Sequence, residues 1–120
     1  MILSKDAILK APDVKIEKIN VPEWGGEVCL RVFSGKARET YLHNLQKRSK
    51  GNKSDDIDIR GMTALLLSMT IVDEAGKLLF DEADIDALSD KSAIVLDRLF
   101  QEALKLNRLD AGAVETVEKN

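Results

Sequence analysis

Hydrophobic residues recur along this chain at helix-like and strand-like spacings, in segments parted by Gly, Pro, Ser and Asp. Ser4 is placed to cap a short helix from Lys5 to Lys10, which Pro12 ends. VKIEKINVPEW and GEVCLRVFS then alternate, with Gly25-Gly26 between them, and predict a β-hairpin. Pairing across the two glycines sets Val21 opposite Leu30 and Ile19 opposite Val32. Ile19, Val21, Val28, Leu30 and Val32 then form one apolar face. Lys18, Asn20, Trp24, Cys29, Arg31 and Phe33 form a mixed one. A two-residue loop would put Pro22 where a strand needs an N–H donor. A four-residue loop, Trp24 to Glu27, keeps that register and relieves the conflict.

Ser34 opens a helix on which Ala37, Tyr41 and Leu45 stack at intervals of one turn, and which fades near Ser49. The polar stretch 49–58 predicts a mobile loop. Ile59 to about Val72 reads as a helix with apolar residues on two sides. Met62, Leu65, Leu66, Met69 and Val72 make one stripe, and Ala64, Leu67 and Ile71 lie opposite. A helix of this kind must bury both faces. It is therefore either the central helix of the domain or a helix with one side covered by another subunit. Burying each large side chain contributes about 1.5–3 kcal/mol, so leaving Leu67 and Ile71 in water would forfeit several. The DEAG segment is a turn, and KLLF is a short extended piece or loop anchor. Asp81 caps a further helix, with Asp84 completing a capping box. Ser89 or Asp90 opens a last amphipathic helix, Lys91 to Leu106. Its apolar face is Val95, Leu96, Leu99, Phe100, Ala103, Leu104 and Leu106, and Asn107 stops it. Residues 110–120 read as a flexible tail. The predicted fold is α+β and mainly helical: an N-terminal β-hairpin followed by a small bundle of about four helices, in one domain spanning 1–120.

Composition narrows this picture. The 120 residues are 44% hydrophobic and 32% charged, as in a globular domain that rests on aliphatic side chains. The single cysteine cannot form an internal disulfide, which suits a reducing compartment. Apolar runs reach only four residues, as at Ala64–Leu67, far short of a membrane span. Charge is uneven along the chain. Residues 1–60 carry 12 Lys+Arg and 9 Asp+Glu, whereas residues 61–120 carry 6 and 12. A basic half and an acidic half permit head-to-tail association of copies.

Candidate chemistry is sparse. His43 shares its helix with Glu39 at one-turn spacing, but no nucleophile or third ligand accompanies the pair. Cys29 lies mid-strand with nothing to activate it. The acids of DEADIDALSD lack the alternating ligands, central Gly and closing Glu of a calcium loop. Gly25-Gly26 lacks the Gly-Lys-Ser/Thr of a phosphate loop. Lys47, Arg48, Lys50 and Lys53 could touch nucleic-acid phosphates. Asp55, Asp56 and Asp58 follow at once, however, so a solvated loop accounts for the run more simply. No catalytic, cofactor or metal site emerges, and the residues alone point to a small binding protein.

VPEWGGEVCLRVFSGKARETY, followed by SMTIVDEAGKLLFDEADIDALSDKSAIVLDRLFQEALKLN, resembles the tail assembly chaperones of long-tailed phages and prophages. The likeness spans about residues 19–109. It implies a mainly helical protein of the host cytoplasm, absent from the finished virion. Such a protein binds the tape-measure protein, keeps it soluble, helps recruit tail-tube subunits, and self-assembles into spirals. It is neither an enzyme nor a nucleic-acid or membrane binder. Trp24, Met62, Leu67, Ile71 and Phe80 are the expected protein-contact residues. A dedicated adaptor domain, or a nucleic-acid binder using 47–53, are the competing readings.

Overall fold

The computed structural model describes residues 1–50 and 61–109, with side chains described for 1–47 and 61–109. The predicted loop 49–58 therefore falls outside the described residues, save for two positions that continue a helix backbone, and so does the tail 110–120. The chain forms a hairpin and a helical cluster, as the patterning predicts. Helix α1 (Lys5–Lys10) leads into strands β1 (Ile16–Val21) and β2 (Gly26–Arg31). Helices α2 (Gly35–Lys50) and α3 (Met62–Thr70) follow, then strand β3 (Ile71–Val72) and helices α4 (Ile85–Ser89) and α5 (Ala93–Leu106).

The hairpin register differs from the sequence expectation. Ile19 pairs with Val28 and Val21 with Gly26, a displacement of four residues along β2. The loop does have four residues, but they are Pro22 to Gly25. Pro22 begins a single 3-10 turn, where its missing N–H costs nothing and its fixed φ fits. Gly25 closes the turn at φ 76°, a left-handed conformation that strains any residue with a Cβ, and its N–H donates to the Pro22 carbonyl at 3.0 Å. Turn chemistry thus overrode the Gly-Gly signal. Because the displacement is even, the faces are unchanged, and Val21 and Leu30 are both fully buried.

The helix predicted through Val72 stops at Thr70. Ile71 and Val72 instead form a third strand, antiparallel to β2, with Leu30 opposite Ile71 and Cys29 opposite Val72. Two β-branched residues in succession favour the extended backbone, and β2 offers them a free edge. The chain then turns at Asp73–Gly76. The Asp73 carboxylate accepts from the N–H groups of Ala75 and Lys77, both at 2.9 Å, and Gly76 adopts φ 88°. Leu78 returns beside Val72.

Helix α3 is the hub of the domain, packing against α2, α4 and α5. Ala64 to Leu67 are all buried, and Leu66 and Leu67 are wholly inaccessible. Its polar side chains bond back to their own helix. Ser68 Oγ donates to the Leu65 carbonyl at 2.8 Å, and Thr70 Oγ1 to that of Leu66 at 2.9 Å. On α2, Ser34 Oγ accepts from the Ala37 N–H at 3.1 Å, and Tyr41 is buried with its ring centroid 5.7 Å from that of Phe33. Helix α5 opens one residue after Ser92, whose hydroxyl faces the Val95 N–H, rather than at Ser89 or Asp90. It buries Val95, Leu96, Leu99 and Ala103 against α3 and the sheet. Asn107 ends it and reaches into the core.

Candidate functional site: an apolar groove beside the hairpin turn

Trp24 and Phe80 come to the same site, although they are far apart in sequence. Together they divide two adjoining hollows. One, of about 390 Å³, runs along the sheet between Val28, Cys29, Val72 and Leu79. The other, of about 330 Å³, lies between the same two rings and Ala87, Leu88 and Lys91. The local sequence explains the arrangement. The 3-10 turn at Pro22 throws Trp24 off the strand line. The Asp73–Gly76 turn brings the KLLF segment back alongside β3. The capping box at Asp81 opens a 3-10 turn, Glu82–Asp84, that runs straight into α4: Asp81 accepts from Ala83 N–H and Asp84 accepts from Asp81 N–H, both at 2.9 Å. Phe80 is therefore held between the sheet and α4.

An ion pair fixes the turn that carries Trp24. Arg98 on α5 donates two parallel hydrogen bonds to Glu23, each 2.9 Å. Those bonds hold the Glu23 carboxyl below the usual carboxylate range and push Arg98 up. From the other side, Lys91 Nζ lies 5.7 Å from the centre of the Trp24 ring. The indole is thus set in place before any partner arrives. The rim of the sheet-side hollow carries Glu27, Asp73 and Glu74 against one cation, Lys18. Leu79 is 56% exposed, an unusual position for leucine beside such a hollow.

Of the expected contact residues, the structure brings Trp24 and Phe80 together and separates the others. Leu67 is in the middle of the core, and Ile71, 2% exposed, lies under the groove floor. Met62 is half-buried at the start of α3, away from the groove. Both apolar sides of α3 are covered by this chain's own elements, which is the central-helix alternative. Leu79 and Ala87 were not singled out from the sequence. The KLLF run, apolar but too short for a helix or a buried strand, was the available signal for Leu79. His43 is exposed and Cys29 half-buried. Among the described residues, no group of three His, Cys, Asp or Glu side chains could hold a metal ion. Nor is any described helix long and apolar enough to cross a membrane.

The family model described as phage tail assembly chaperone matches residues 4–119. The chain belongs to the phage tail assembly chaperone family. Among solved structures it is similar to the tail assembly chaperone of bacteriophage HK97, at 21% identity and a TM-score of 0.55 over 84% of this chain and 90% of that one. At that identity the likeness speaks to the fold. No curated protein matches the chain.

Proposed function

We propose that this tail assembly chaperone binds the tape-measure protein through the Trp24–Phe80 groove, keeps it soluble, and helps recruit tail-tube subunits around it in the host cytoplasm. The chaperone then leaves before the virion is complete. The observation that carries this reading is an open, apolar groove, braced by an ion pair, in a chain of this family. A tape-measure protein is a very long helical chain with apolar stripes. Such a stripe needs a partner that offers apolar area without collapsing on itself. Trp24 and Phe80 offer large rigid faces, and Leu79 and Ala87 leave room for side chains from a helix laid across them. Several copies coating one tape-measure chain, in contact with each other, would present a regular surface to tube subunits.

Co-expression with the tape-measure protein of the same tail gene cluster tests the proposal. The tape-measure protein should stay in the supernatant after centrifugation when the chaperone is present. It should pellet with the Leu79→Lys or Ala87→Glu variants, whose substituted positions are exposed and so leave the fold intact. Equal solubility with wild type and both variants would refute the groove as the site.

A further inference from the structure

Among the described residues, nothing covers the N-terminal arm. Every residue from Met1 to Lys18 is exposed, including Ile2 at 98%, Ile8 at 56% and Leu9 at 72%. Yet the arm is organised. Ser4 Oγ accepts from the Ala7 N–H at 3.2 Å, and Asp6 pairs with Lys10 at 3.5 Å across one turn. The helical repeat places Ile8 on the side opposite that pair. A helix of six residues is not stable by itself in water, because nucleation is costly and few bonds follow it. An ordered arm with bare Ile and Leu side chains is built to be covered.

We infer that the arm of one copy docks by Ile8 and Leu9 into the Trp24–Phe80 groove of a second copy. Two features select this occupant. The arm helix carries Lys5 and Lys10 against Asp6 alone, whereas the sheet-side rim of the groove has Glu27, Asp73 and Glu74 against Lys18 alone. The signs match. The arm also leaves the groove of its own copy unfilled, with Ile8 56% and Leu9 72% exposed. An arm that serves the next copy joins subunits head to tail, and without closure gives an open helical array. The inference rests on the reading of the groove as the client site. It makes the arm a stand-in that shields the groove until a tape-measure stripe displaces it.

A cysteine trap tests the contact, because the only native cysteine, Cys29, lines the groove. The unmodified chain is mixed with a copy carrying Leu9→Cys and Cys29→Ser, oxidised mildly, and read by intact mass. Trans docking should give the mixed disulfide dimer several-fold above either symmetric dimer, and Leu79→Lys in the Cys29-bearing copy should remove that excess. A statistical distribution of dimers, or an excess that persists with Leu79→Lys, overturns the proposal. In a chain carrying only Leu9→Cys, an internal disulfide in a monomer as the dominant product also overturns it, since the arm would then serve its own groove. Sedimentation of Ile8→Asp/Leu9→Asp gives an independent readout. Both positions are exposed, so the fold should hold while self-association drops at least tenfold, and unchanged association contradicts the inference. None of these measurements involves a tape-measure protein, so arm docking and client binding can fail separately.

Discussion

The side chain of Asn107, at the end of α5, joins three parts of the chain. Its Oδ1 accepts from the buried Phe33 N–H at 2.6 Å, and its Nδ2 donates to the carbonyls of Arg31 at 3.3 Å and Ala103 at 3.1 Å. The residues after β2 have left the sheet ladder and not yet begun α2, so their backbone groups need this partner. Asn107→Ala leaves the Phe33 N–H buried without an acceptor. It should cost about 2–3 kcal/mol, read from the urea midpoint at unchanged slope. Asn107→Asp should not rescue the fold at neutral pH, because a carboxylate cannot donate to the Arg31 and Ala103 carbonyls that the amide now serves. The Glu23–Arg98 pair predicts a second, pH-dependent effect. The Glu23 carboxyl is lowered chiefly by its hydrogen bonds from Arg98, so the bracing is present above the ordinary carboxylate range. It is lost as pH falls through the depressed folded-state value. Emission from Trp24, the only tryptophan, should report the turn loosening in that acid window. Glu23→Gln should abolish that step and leave the neutral-pH fold in place, because an exposed pair contributes little to global stability.

At the scale of elements, α3 determines whether the domain exists. Leu67 is fully enclosed by this chain, so Leu67→Ala should destabilise the protomer by about 2–5 kcal/mol. Leu67→Asp should unfold it, with loss of helical circular dichroism. A folded, merely dissociated Leu67→Asp protein would show that α3 faces a partner after all. Helix α3 also shows how far the sequence could be read. Its periodicity fixed its existence and its two apolar sides, but not what covers them. Coverage depends on α2, α4 and α5 arriving from positions distant in sequence. The end of α3 departs from the sequence expectation for a related reason. Ile71 and Val72 continue the apolar pattern of the helix, and only the proximity of β2 turns them into strand. The hairpin faces were legible from alternation, which survives an even shift in register. The register itself was set by Pro22 and Gly25 rather than by the more conspicuous Gly25-Gly26. Ser4, Ser34 and Asp81 act as caps where the sequence placed them, since capping depends on immediate neighbours alone. The groove was half legible. Trp24 and Phe80 are among the expected contact residues, but their shared place at the groove depends on the Asp73–Gly76 reversal and on β3.

At the scale of the whole molecule, the described residues leave open an apolar groove that runs along the sheet from Lys18 to the Trp24 turn, and an N-terminal arm with exposed Ile8 and Leu9. A chaperone of phage tail assembly needs surfaces that bind strongly enough to shield a client and weakly enough to be displaced. The groove offers rigid aromatic walls with an acidic rim, and the arm adds little buried area because its helix is short. The groove is therefore the feature to test. Trp24 reports on it directly, so the most direct measurement is a titration of Trp24 emission with purified helical segments of the tape-measure protein. The prediction is a saturable spectral shift with the wild-type chain, lost in Leu79→Lys and Ala87→Glu, which should keep the wild-type thermal transition. Binding of those segments with no change at Trp24, or with equal affinity for both variants, would contradict it.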